Sequence, residues 1–278
     1  MSTFRYEQGS GLGVPTYLRM DRRETGDGDT EIGMVGTVPL GDHLRGPTGA
    51  MRTGGLVTLL DSVGGLCGGL GSLPRWSVTA NVLTRVHRLD HRGPLRAEAR
   101  VLRRGRTTVV SETTLVDEGR DDALVADGVL TSAVIEPADG PPAFERPVHI
   151  PPGPAPDDPP PGLDEFFGLR PVDDERGPAV ELDLAPHLGN PWGIPHGGTV
   201  AVLVDAAAER AVTVGTGGPA ATTDLALHFL SPGRVGPLRA RGRVLGRRGD
   251  GHLVRVTAHD TGRGDALVAL AAATVRPA

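Results

Sequence analysis

The chain has 278 residues, 38% of them hydrophobic, a formal net charge of −5 and one cysteine, enough for one large domain or two ordinary ones with a real core. Acids and bases are interspersed and only 3% of residues are aromatic, so there is no basic face or stacking platform for nucleic acid. Cys67 alone forms neither an internal disulfide nor a thiolate metal cluster, and "MSTFRYEQGSGLGVPTYLRMDRR" lacks an apolar leader, so a cytoplasmic protein without a membrane partner is expected.

In chain order, "TEIGMVGTVPL" (30–40) reads as a strand, followed by a Gly/Pro loop and one long apolar helix near 54–68. That helix holds "GGLCGGLG" (64–71), a poor helix former at about 1 kcal/mol per glycine. Either it frays into a loop after Gly64, or the missing side chains let a second helix or a ligand approach. Four strand-like runs follow, at 76–89, 95–105, 107–117 and 123–135, rich in valine and threonine with period-two alternation. Proline then becomes dense over 136–164, which reads as an extended linker. Beyond it the order recurs: a strand at 179–185, a helix near 198–214, and strands at 221–232, 238–249, 252–260 and 266–276. One helix plus about five antiparallel strands, written twice, is an α+β pattern.

The recurrence is also literal. "HLRGPTGAMRTGGLVTLLD" (43–61) lies over "HLGNPWGIPHGGTVAVLVD" (187–205) without a gap, with seven of nineteen residues identical and a spacing of 144. "TANVLTRV" lies over "TDLALHFL", and "GPLRAEARVL" over "GPLRARGRVL" one residue closer. The expected organisation is an N-terminal repeat (1–135), the linker (136–164) and a C-terminal repeat (165–278).

Each helix carries one carboxylate in an apolar stretch, Asp61 and Asp205. Burying an unpaired carboxylate costs several kcal/mol, roughly, so each must be partnered or used. The free N–H groups around Gly197 and Gly198, at the positive end of the helix dipole, form an oxyanion site. Asp205 lies eight residues on, about 12 Å along the axis, too far for joint chemistry with that site. A carboxylate from the other repeat is needed, and antiparallel helix packing supplies it. Two sites of different content follow. One combines Asn190, His196 and Gly197 with Asp61 and Thr79; the other combines Gly46, Arg52 and Thr53 with Asp205 and Thr223.

"N-P-W-G-I-P-H-G-G" followed by "V-L-V-D" resembles the hotdog-fold acyl-CoA thioesterases of the phenylacetate-pathway (PaaI-like) type. Their Asn, Gly, His-Gly-Gly and Asp are met by Asn190, Gly193, His196, Gly197, Gly198 and Asp205, and a Ser/Thr eighteen residues further by Thr223. The first copy keeps Pro47, Gly49, Gly54, Asp61 and Thr79 but has Gly46, Arg52 and Thr53 in place of the Asn, His and first Gly. The resemblance implies tandem hotdog repeats, each a long helix wrapped by a curled sheet, joined as an intramolecular pseudodimer. It implies hydrolysis of an acyl thioester, with coenzyme A entering only as part of the substrate, no separate cofactor and no metal. Gly197 would polarise the carbonyl. Asp61 would activate water or attack directly, Asn190 would orient the water or substrate, and Thr79 would hydrogen-bond one of them. His196 would brace the loop rather than transfer protons. The second site would be inactive, or bind without turnover. Gly198 would belong to the substrate site, Trp192 and Trp76 would line an acyl pocket or pack the core, and Arg103, Arg104, Arg106, Arg247 and Arg248 at hairpin turns would hold CoA phosphates or be solvated charge. A homo-oligomer of such units is expected by the same resemblance. A non-catalytic acyl-thioester-binding module and a hotdog acyl-CoA hydratase or dehydratase are the competing readings.

Overall fold

The computed structural model describes residues 13–46, 48–136, 145–155, 159–190 and 192–278. In chain order these form α1 (Val14–Tyr17), β1 (Asp21–Thr25), β2 (Gly33–Val38), α2 (Thr53–Ser72), β3 (Trp76–Val86), β4 (Leu95–Arg104), β5 (Thr108–Asp117) and β6 (Ala123–Ile135). Next come β7 (His149–Ile150), α3 (Leu163–Phe167), β8 (Arg170–Asp174), β9 (Gly177–Leu182), α4 (Gly197–Thr216), β10 (Ala220–Phe229), β11 (Leu238–Arg248), β12 (Gly251–Asp260) and β13 (Ala266–Pro277). The valine-rich alternating runs are the long strands. In β5, for example, every second side chain is buried, as a sheet with one face on the core requires.

The strands form one antiparallel sheet in the order β7-β1-β2-β4-β5-β6-β3-β10-β13-β12-β11-β9-β8. Apart from β7, the order reads outward from the β3–β10 seam in the same way on both sides. α2 is buried along nearly its whole length and α4 from Gly198 to Ala208, and the two helices pack on each other and on the strands of this sheet. α2 is long and apolar enough by composition to cross a membrane, but 89% of its most apolar window is buried here. Its glycine run does not fray: the helix continues to Ser72. Strand side chains make the close approach, with Gly64 against Leu130 and Thr113, and Gly71 against Val101.

The two helices cross antiparallel at small residues. A Cβ added to Gly54 would stand 2.6 Å from Val202 Cα, and one on Gly198 would strike Thr58. The duplicated "GPLR" turns are held alike. Asp117 accepts hydrogen bonds from the N–H groups of Arg92 and Gly93, as Asp260 does from those of Arg234, Val235 and Gly236. Gly93 and Gly236 occupy the left-handed region there, at φ 78° and 77°, which favours glycine.

At the seam, β3 and β10 pair with Leu83 opposite Ala226 and Asn81 opposite His228. The correspondence is therefore Thr79 with Thr222, one residue off the spacing that relates the helices. The shorter connection lies between helix and strand, earlier than the sequence alignment indicates. Both strands carry a bulge immediately after that threonine. Within the proline-rich segment, residues 137–144 and 156–158 lie outside the described residues, as do residues 1–12 and the motif prolines Pro47 and Pro191. His149–Ile150 adds β7 to the edge of β1.

Candidate active site

The antiparallel crossing brings the start of α4 to the middle of α2. Asp61 Oδ2 lies where a Cβ on Gly197 would have to go, so only glycine lets the carboxylate reach the helix terminus. Gly197 is the first residue of α4, and its N–H has no intrahelical partner. The next N–H, of Gly198, donates to His196 Nδ1 at 3.0 Å, so the imidazole caps the helix. Burial first, and the charge of Arg22 second, lower the His196 pKa to about 4. The ring is neutral near pH 7, with its proton on Nε2.

Asp61 is 7% exposed, and its Oδ1 has no hydrogen-bond partner among the described residues. Burial pushes its pKa up to about 6, with the Thr79 hydroxyl acting in the opposite direction. Both groups flank Gly65. Asn190 Oδ1 accepts from the Trp192 and Ile194 N–H groups at 3.0 and 3.4 Å, tying down the loop before α4. Its amide nitrogen has no partner among the described residues.

Asp61, Thr79, Asn190, His196 and Gly197 all line one cavity of about 900 Å³. Trp76 and Trp192 line it too, their rings 6.0 Å apart. Gly198 lies off it, at the helix crossing. Arg103, Arg104, Arg106, Arg247 and Arg248 are not in its wall; Arg104, for instance, donates to the Gly71 and Asp29 carbonyls. The arginines of the wall are Arg22, buried, and Arg234, exposed, neither of which the turn-based reading singled out.

The corresponding region of the other half is built differently. Asp205 is fully buried; its Oδ2 accepts from the Gly54 N–H at 2.8 Å and lies 3.9 Å from Arg52. Arg52 also meets Asp164 at 3.0 Å and Glu209 at 3.2 Å. Burial raises the Asp205 pKa, against the opposing effects of Arg52, the Thr222 hydroxyl and the Gly54 N–H. Burial, with the Asp205 charge second, pushes Glu209 up to about 8. Thr53 Oγ1 donates to the Thr222 carbonyl. Thr222, rather than the expected Thr223, stands beside Asp205, because Thr223 occupies the bulge and bonds Asp224 and the Thr274 carbonyl. Gly46, Arg52 and Thr53 line a smaller cavity of about 470 Å³ from which Asp205 is shut off. Among the described residues no group of three or more His, Cys, Asp or Glu could hold a metal.

A family model described as the Thioesterase superfamily matches residues 193–266. The chain is similar in structure to the tesB protein of Mycobacterium avium subspecies paratuberculosis at 16% identity and TM-score 0.61, over 92% of this chain and 95% of that one. It is similar also to a hot dog fold protein of Alicyclobacillus acidocaldarius (13% identity, TM-score 0.59, 92% and 95% covered). An acyl-ACP thioesterase of Bacteroides thetaiotaomicron gives 11% identity and TM-score 0.56 over 87% of this chain and 97% of that one. No curated protein sequence matches the chain. The fold is thus α+β of the hotdog kind, with long helices inside a large antiparallel sheet.

Proposed function

We propose that the protein is an acyl-CoA thioesterase, built as two fused hotdog repeats of PaaI-like type, with one working site between them. One observation carries this reading: a buried carboxylate from the first half, Asp61, meets the helix N-terminus of the second half, at Gly197, inside the large cavity. The thioester carbonyl accepts the Gly197 N–H, which the helix dipole makes a good site for a developing oxyanion. Water hydrogen-bonded to the unpartnered Oδ1 of Asp61 attacks the carbonyl carbon and gives its proton to the carboxylate. Collapse of the tetrahedral intermediate expels the CoA thiolate, which takes that proton back. A carboxylate with a pKa near 6 is ionised at neutral pH, yet more basic than an ordinary aspartate. Asn190 offers its amide N–H to the water or the carbonyl, Thr79 positions the carboxylate, and His196 holds the loop. The Asp205 region carries no turnover.

Thiol release from a panel of acyl-CoAs tests this. Asp61→Asn is expected to lower kcat by about 10²–10⁴-fold, the usual contribution of a general base, while Asp205→Asn keeps most of it. Retained hydrolysis in Asp61→Asn with loss in Asp205→Asn, or no cleavage by the native protein, overturns the reading.

A further inference from the structure

Of the two arginines in the wall of the main cavity, Arg22 is the buried one, and it has no counter-charge among the described residues. Arg22 is the second residue of β1, at an inward position, 7% exposed, and lines the cavity. Its stem passes over Gly36, 3.5 Å from where a Cβ would stand, and Ile150 of β7 pairs beside it. Among the described residues its side chain makes no hydrogen bond or ion pair, and Nε is buried without a partner. Its neighbour Arg23 faces out and bonds Asp21, and Arg52, at the start of α2, meets Asp164 and Glu209. Matching β1 with β8 through their partner strands puts Pro171 at the place of Arg22, so the charge belongs to one cavity only.

Leaving a buried guanidinium nitrogen without a partner is costly, and the charge also opposes protonation of His196. A ligand that supplies the missing anion offsets that cost, and a planar fork fits a carboxylate in two-pronged fashion. CoA phosphates suit the exposed rim, where Arg234 lies, better than this enclosed wall. We infer that Arg22 receives a second carboxylate on the acyl group, so that the site takes the CoA thioesters of dicarboxylic acids. This rests on the thioesterase reading and makes Arg22 a specificity-determining residue.

The test compares a series of dicarboxylyl-CoAs of increasing length with monocarboxylic acyl-CoAs of the same length, in the native protein, Arg22→Met and Arg22→Lys. The native protein is expected to favour the dicarboxylyl member of the best pair by about tenfold or more in kcat/KM, the scale of a charge-assisted hydrogen-bonded pair. Arg22→Met should abolish that ratio, chiefly through KM, and Arg22→Lys should keep part of it. Thermal melting of Arg22→Met should be no lower than native, because the substitution removes an unpaired buried charge. If both substrate classes are cleaved with the same ratio in native and Arg22→Met proteins, the inference falls and the thioesterase reading stands. If nothing is cleaved, the thioesterase reading falls, and calorimetric binding of the paired thioether analogues decides about Arg22. A preference for the ω-carboxylate analogue that Arg22→Met loses supports the inference; equal binding overturns it.

Discussion

Asp61 and Asp205 occupy the same position of two matching helices, and each faces the start of the other helix, yet one lies open to a cavity and the other is sealed. The difference begins at the capping residues. At the start of α4, His196 satisfies the second N–H, so Asp61 is not drawn in as the cap and rests against Gly197 in the wall of the cavity. At the start of α2, Arg52 has no acceptor to offer, and Asp205 itself takes the Gly54 N–H. Thr53 spends its hydroxyl on the Thr222 carbonyl, and Arg52 closes the space together with Asp164 and Glu209. Two differences at one helix start, Arg52 for His196 and Thr53 for Gly197, thus separate a carboxylate in a cavity wall from one enclosed among structural partners.

The most severe way to break this contrast is to give the open site the Cβ that its counterpart already has. Gly197→Ala is expected to displace the Asp61 carboxylate and cost about 10²-fold or more in kcat while circular dichroism stays native. Thr53→Gly, the converse change, should leave thiol release within about threefold, since it removes a loop bond worth about 1 kcal/mol. Equal losses in both variants would mean that the two helix starts are functionally alike.

Arg52 gives the next largest effect. Arg52→Met leaves Asp164, Asp205 and Glu209 facing one another without their cation, and removing one partner of a buried ion pair costs about 3–5 kcal/mol. Burial of Glu209 and Asp205 disfavours their charged forms, so that loss should shrink as the pH falls and they take up protons. Denaturant midpoints at neutral and acidic pH measure it. A variant as stable as the native protein at neutral pH would show that the seal does not depend on this charge cluster.

Much of the contrast is visible in the sequence. The repeat, the helix and strand periods, and the eight-residue gap between Gly197 and Asp205 suffice to pair Asp61 with Gly197. Elsewhere the signals are weak for physical reasons. β1 is five residues long and mostly charged, so no periodicity marks Arg22 as inward. The one-residue shortening between α4 and β10 is masked by consecutive threonines, which made Thr223 match as well as Thr222 would have. Asp164 reaches Arg52 from a short helix just past the proline-rich segment, a contact across the fold that local patterns do not encode. Turn arginines look alike whether they face a cavity or solvent, because a turn has no period to say which.

The smallest effect separates the two threonines. The Thr79 hydroxyl favours the ionised form of Asp61, so Thr79→Val raises that pKa further. In the native protein kcat/KM should rise with pH through about 6, because Asp61 must be deprotonated to accept the proton from water. Thr79→Val should move this rising limb upward, by roughly one pH unit or less for one hydrogen bond of about 1 kcal/mol. Thr222→Val should leave it in place, because Asp205 takes no part in the proposed reaction. The same shift has a stability consequence of definite sign. A carboxyl whose pKa is raised by folding favours the folded state below its unfolded value near 4 and loses that contribution as the pH passes 6. Asp61→Asn removes the cost of the buried charge and should therefore raise the melting temperature above pH 6 and not below pH 4. A rising limb that Thr222→Val shifts and Thr79→Val does not would assign the working carboxylate to the wrong helix.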